Sequence, residues 1–195
     1  MDRDNLIALK NLSFEKKLTF AYLTCERLFG NYVFFSNNFN FGSPDKLKNA
    51  IMFLHDNLFE IHHEKQTIEK IVKQVEKITP DTEDFSTIYV SSALDACTCS
   101  LDSLDALLEM DFSTIENISA YGFDTVDMYV REIEEINAND KLADKKINLH
   151  HLMQKEVSIQ QGIITFLKNR KNIDYADVET LLQLQDNNKR SNLDL

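Results

Sequence analysis

Residues 91–108 read SSALDACTCSLDSLDALL, and the fold turns on whether they coil or extend. Leu94, Cys97, Leu101, Leu104 and Leu108, preceded by Val90, recur at alternating steps of four and three. An α-helix turns by about 100° per residue, so these positions fall on one face; a half-buried strand would alternate every second residue. The segment is therefore read as a helix with an apolar core stripe, in which Cys97 serves as a small apolar side chain. Cys99, two positions on, points nearly the opposite way, so the two thiols cannot jointly grip one metal ion. Asp95, Cys99 and Asp102 form a second stripe, with Asp105 and Glu109 further along that flank. Three readings stand for it: contact with solvent or a facing helix, a buried structural carboxylate, or a metal or catalytic centre. The first is the simplest.

The rest of the composition agrees with long helices. Four Gly and two Pro make up about 3% of the 195 residues, against roughly 12% in average proteins. Strand-and-turn architectures need both residues at their turns. A chain of this length fits one domain, residues 1–195, able to bury roughly 70% of its unfolded surface without a disulfide or metal staple. The expectation is an all-α, single-domain helical bundle of about six to eight helices, with a loose tail over about 187–195 that Leu193 and Leu195 could dock.

Start and stop signals divide the chain. Ser13 caps a helix through FEKKLTFAYLTCERLF, which Gly30 and Asn31 are expected to interrupt before an aromatic piece, YVFFSNNF. Ser43 and Pro44 open another helix, and Pro80 stops the one after it. The acidic loop PDTEDFS leads into the helix that holds residues 91–108. Ser113 with Glu116 reads as a capping box for FSTIENISAYGFDTVDMYVREIEEI, a helix that Gly122 weakens. NANDKLADKK reads as a polar connector. NLHHLMQKEVSIQQGIITFLKNR and IDYADVETLLQLQ form the final helical stretch.

Charge and motif content exclude several functions. Lys and Arg total 21 and Asp and Glu 32, a net charge of −11 that repels phosphate backbones, so no nucleic-acid partner is expected. No apolar run approaches the roughly 20 residues of a membrane span. Three cysteines, Cys25, Cys97 and Cys99, are too few for a disulfide framework; with no signal-peptide pattern at residue 1 they suit a reducing cytoplasm, the expected location. P-loop, dinucleotide, G-x-S-x-G, H-E-x-x-H and C-x-x-C patterns do not occur, so no cofactor is implied. The histidines at 55, 62, 63, 150 and 151 read as surface or boundary residues.

Two blocks carry a family resemblance. FAYLTCERLFGNYVFF, Phe20 to Phe35, followed by FNFG, resembles the signature of the YjaG-like bacterial family, domain of unknown function 416. PDTEDFSTIYVSSALDAC, Pro80 to Cys97, is similar to that family's aspartate-rich entry and D-A-C helix, and SNLDL to its ending. The resemblance implies an all-helical cytoplasmic protein and no assigned activity.

If the two blocks pack together, Arg27 is positioned to pair with Asp95 or Glu26, and Asn31 and Tyr32 to add hydrogen bonds. The candidate polar cluster is thus Glu26, Arg27, Asn31, Tyr32, Asp95 and Cys99, with a helix-register role as the plain reading and a small-ligand pocket as the sharper one. Crowded aromatics, Tyr32, Phe34, Phe35, Phe39 and Phe41, add a second motive. The favoured function is a non-catalytic protein-interaction or self-associating module, with a homo-oligomer as one form of it. The alternative is a small-molecule- or metal-binding protein, an enzyme included, built on Glu26, Arg27 and Asp95.

Overall fold

The computed structural model describes residues 3–60, 64–137, 139–185 and 191–195. Nine α-helices and no strands occur among the described residues: α1 Arg3–Lys10, α2 Phe14–Phe39, α3 Pro44–Asp56, α4 Lys65–Glu76, α5 Tyr89–Glu109, α6 Ile115–Ile133, α7 Ala143–Leu149, α8 His151–Asn169 and α9 Tyr175–Gln185. The all-α bundle is as expected. The two short helices α1 and α7 carry the count past eight, and α7 grows out of the stretch read as a polar connector.

Helix α5 spans the diagnostic stretch. Val90, Cys97 and Leu104 are buried on its core stripe, and Met110 in the left-handed region ends it. Its widest contact is with α2, which runs through the middle of the molecule. Helix α2 is not interrupted at Gly30 and Asn31. A Cβ at Gly30 would stand 2.8 Å from the Ser191 Cβ, so the missing side chain admits residues 191–195 against the helix. A glycine inside a helix costs about 1 kcal/mol relative to alanine; here it makes room for a tertiary contact. Ser191, Asn192 and Leu193 are all buried, so this part of the expected loose tail is docked; residues 186–190 lie outside the described residues. Leu193 joins Val126, Val130, Ile147, Leu152 and Met153 in a small second core beneath α6, α7 and α8.

One capping expectation changes. Ser113 does not cap α6; its amide and hydroxyl both turn back to Asp111, at 2.8 and 2.9 Å, and Thr114 takes the cap position. Helices α8 and α9 are separate, divided at residues 170–174. The crowded aromatics mostly face inward. Phe35 packs on Phe85 at 5.0 Å and Phe41 on Phe85 at 5.3 Å, while Phe34 lies 4.7 Å from Tyr89. This is a satellite of the core, and Phe39 is the large exposed ring of the group.

Candidate functional site

Arg27 leaves α2 toward α8 and α9 and is 4% exposed. Its Nε donates to Glu156 Oε2 at 3.0 Å and its Nη2 to Glu156 Oε1 at 2.9 Å, a bidentate fork across 129 residues of sequence. Its Nη1 donates to Gln185 Oε1 at 2.9 Å, and Gln185 in turn donates to the Leu23 carbonyl at 3.2 Å. Glu156 Oε1 also accepts from Gln160 Nε2 at 2.7 Å. Gln160 is fixed by Ser119, whose hydroxyl donates to its Oε1 at 2.7 Å and whose carbonyl accepts from its Nε2 at 3.0 Å. All three guanidinium nitrogens thus donate and both carboxylate oxygens accept. Gly122 makes the seat possible, since a Cβ there would lie 2.3 Å from Glu156 Oε1.

The expected pairing of Arg27 with Asp95 or Glu26 is therefore corrected: the acid is Glu156. The reason is helix geometry. Glu26, one residue before Arg27, is turned about 100° away and accepts from Lys48 Nζ at 2.6 and 2.7 Å on the α3 side. Asp95 faces α6 and accepts from Thr125 Oγ1 at 2.6 Å. Burial lifts the Asp95 carboxyl to about 6; the Thr125 hydrogen bond opposes the rise and the Asp124 charge adds to it. Asp102, two stripe positions on, accepts from the Tyr121 hydroxyl at 2.8 Å, so this flank of α5 meets a facing helix.

The remaining candidates scatter. Asn31 donates to Asn192 Oδ1 at 2.8 Å, and Asn192 donates to the Gly122 carbonyl at 3.1 Å, tying residues 191–195 to α2 and α6 at once. Tyr32 closes the turn after α2, accepting from the Ser43 amide at 3.1 Å and donating to the Ile78 carbonyl at 2.9 Å. Cys99 faces α2, where its Sγ lies 3.6 Å from Cys25 Sγ. The six candidates thus line five separate contacts, and Arg27 with Asn31 lies on the network that joins α2, α6, α8, α9 and residues 191–195. Among the described residues no group of three or more His, Cys, Asp or Glu is placed to share a metal ion, and no helix is long and apolar enough to cross a membrane. His62 and His63 lie outside the described residues.

Sequence reasoning missed Glu156, Gln160, Gln185, Ser119 and Asn192. A signal existed for part of this set. Ser119 and Gly122, three apart, share one face of α6, and Glu156 and Gln160, four apart, share one face of α8. A small-residue face opposite an acid–amide pair is the pattern of a polar side chain seated between helices.

Beside this network an open groove of about 730 Å³ runs between α2 and α9. Phe29, Val33, Phe34 and Leu182 wall it, Arg27 and Gln185 lie along it, and Glu26, Glu179 and Asn37 stand among its polar lining residues. Lys48 covers the Phe29 ring at 5.3 Å.

The comparisons with known proteins agree with this architecture. The family model described as "Protein of unknown function (DUF416)" matches residues 5–195. An uncharacterized protein of Haemophilus influenzae is 26% identical over 180 residues, covering 91% of this chain and 87% of its own. The uncharacterized protein YjaG of Escherichia coli is 23% identical over 164 residues, 83% of this chain and 80% of its own. The crystal structure of a DUF416 family protein from Shewanella baltica superposes with a TM-score of 0.87 at 26% identity over 96% of each chain. A helical scaffold threaded by one buried arginine network, matched by the family model along nearly its whole length, is thus a member of the DUF416 family.

Proposed function

We propose that the chain is a non-catalytic interaction module that receives an amphipathic, basic helix of a protein partner in the α2–α9 groove. The supporting observation is the contrast between two neighbouring features. The arginine network is hydrogen-bonded within itself, and its Arg27 and Glu156 hold each other, which suits a register device. The groove beside it is open, walled by apolar side chains and edged by Glu26 and Glu179. An apolar groove with a polar rim takes an apolar helix face, and Glu179 on the rim answers lysine or arginine, Glu26 being held already by Lys48. The net charge of −11 favours such a partner over a second copy.

The test titrates a fluorescent model helix, alternating leucine and lysine faces, into the full chain and into Val33→Asp. Saturable binding weakened at least roughly tenfold by Val33→Asp, about 1.4 kcal/mol, supports the reading. Equal binding by both proteins, or none, overturns it. Sedimentation velocity across concentration assigns the groove to a second copy if the wild type dimerises and Val33→Asp does not. A small-molecule occupant has one observation in its favour: the volume falls within the roughly 300–1,000 Å³ of ligand pockets. Native mass spectrometry of freshly purified protein decides that point by the presence of a retained non-covalent mass.

A further inference from the structure

Cys25 on α2 and Cys99 on α5 are 74 residues apart in sequence, yet their sulfur atoms stand 3.6 Å apart, and both side chains are fully buried. Ser103, one turn beyond Cys99, places its hydroxyl 3.6 Å from Cys25 Sγ and donates to the Cys99 carbonyl at 2.7 Å. Cysteine in a core is commonly only a small hydrophobe. Here two thiols and a hydroxyl are gathered on one another across a helix pair, and Cys97 provides an internal contrast on the opposite side of α5.

We propose that Cys25 and Cys99 form a redox site in which a hydroperoxide oxidises the pair to an intramolecular disulfide bridging α2 and α5. Cys25 is the attacking sulfur. Burial raises its pKa, but the hydrogen bond from Cys99, with the Ser103 and Ser100 hydroxyls beside it, outweighs burial and holds it below the ordinary thiol value. Cys99 is held well above that value by burial and by its contact with Cys25, so it keeps its proton and supplies the hydrogen bond. Burial lifts Cys97 to about 12, which leaves it inert.

The chemistry balances in two steps. The Cys25 thiolate attacks the terminal peroxide oxygen, the O–O bond breaks, and a sulfenic acid forms while the leaving hydroxide (an alkoxide from an organic hydroperoxide) takes up the proton that Cys25 gave up and departs as water or alcohol. Cys99 sulfur then attacks the Cys25 sulfur, the S–O bond breaks, and the hydroxyl leaves with the Cys99 proton as water. Two thiols lose two electrons and two protons; one hydroperoxide is reduced. The oxidant must be small and the reaction slow, because it reaches the pair through local opening of the bundle.

The test treats the folded, reduced full chain with hydrogen peroxide, quenches it, alkylates it in denaturant and maps it by mass. The expected result is an intact mass lower by two hydrogens, apart from methionine oxidation, with Cys25 linked to Cys99 and Cys97 alkylated. The exposed Met110 and Met128 gain oxygen in the same sample and prove that the oxidant acted. Three alkylated cysteines after both methionines are oxidised overturn the proposal, as does any link through Cys97 or between molecules. Cys97→Ser must retain the bridge, and Cys99→Ser must stop at a Cys25 sulfenic acid that dimedone captures. Should Cys99→Ser not fold, the wild-type map decides alone.

Discussion

Replacing Gly122 by alanine sets two effects of opposite sign against each other. Gly122 lies inside α6, where alanine is favoured by about 1 kcal/mol on helix propensity. The new Cβ, however, would stand 2.3 Å from Glu156 Oε1, 2.9 Å from Gln160 Nε2 and 3.0 Å from Glu156 Cδ. The carboxylate has no simple retreat, because Arg27 holds both its oxygens and the residue is 1% exposed. Breaking a buried pair costs roughly 3–5 kcal/mol. The difference predicts that Gly122→Ala destabilises the fold by about 2–4 kcal/mol. In urea the midpoint should fall with the slope unchanged, and the melting temperature should drop by roughly 4–16 °C for a chain of this size. In a Glu156→Ala background the 2.3 Å contact is gone, and Gln160 Nε2, at 2.9 Å, is the far end of a flexible side chain released from Glu156, so the same substitution should be neutral or slightly stabilising. A wild-type background in which Gly122→Ala is neutral or more stable would refute the claim that Glu156 fixes α6 against α8.

Asp95→Asn should stabilise the protein at pH 7 by about 1–3 kcal/mol, because a tenfold change in proton affinity between folded and unfolded chains is worth roughly 1.4 kcal/mol. The sign follows from a carboxyl raised from 3.8 to about 6: its contribution is full below 3.8 and is lost as pH rises through 6. Urea midpoints between pH 3.5 and 7 check this, and parallel curves for the two proteins would exclude it. Asn192→Ala removes the acceptor for Asn31 and the donor to the Gly122 carbonyl, leaving both buried, and should cost about 1–3 kcal/mol. Thermal unfolding reads the loss directly; an unmoved midpoint means that residues 191–195 contribute no stability through that amide.

What the sequence made legible is what short-range periodicity encodes. The four-three stripe from Val90 to Leu108 placed α5 almost to the residue, because one face of a helix is a local property. The opposed directions of Cys97 and Cys99 followed from the same rotation. Gly30 and Asn31 read as a break because their local propensity does suggest one; Ser191 and Asn192, some 160 residues away, decide otherwise. The partner of Arg27 was hidden for a related reason. Any of 32 acidic residues could have met it, and no window of sequence distinguishes Glu156 from the rest. Asp95 reads in the sequence as a partner for Arg27, but it meets the hydroxyl of Thr125, and a charge-pairing argument does not look for hydroxyls.

The wide spacing between Arg27 and its acid also bears on how the molecule is made. A ribosome adds roughly 5–20 residues per second, so on the order of ten seconds pass between the synthesis of the cation and that of its counter-ion 129 positions later. Throughout that interval a nascent α2 must keep its guanidinium wet, and any early collapse onto α5 stays provisional. Emergence of α8 supplies the counter-ion, and Gln185 and residues 191–195 follow it onto the central helix, so a translational stall before Glu156 would hold the polypeptide in a half-assembled form open to proteases and chaperones.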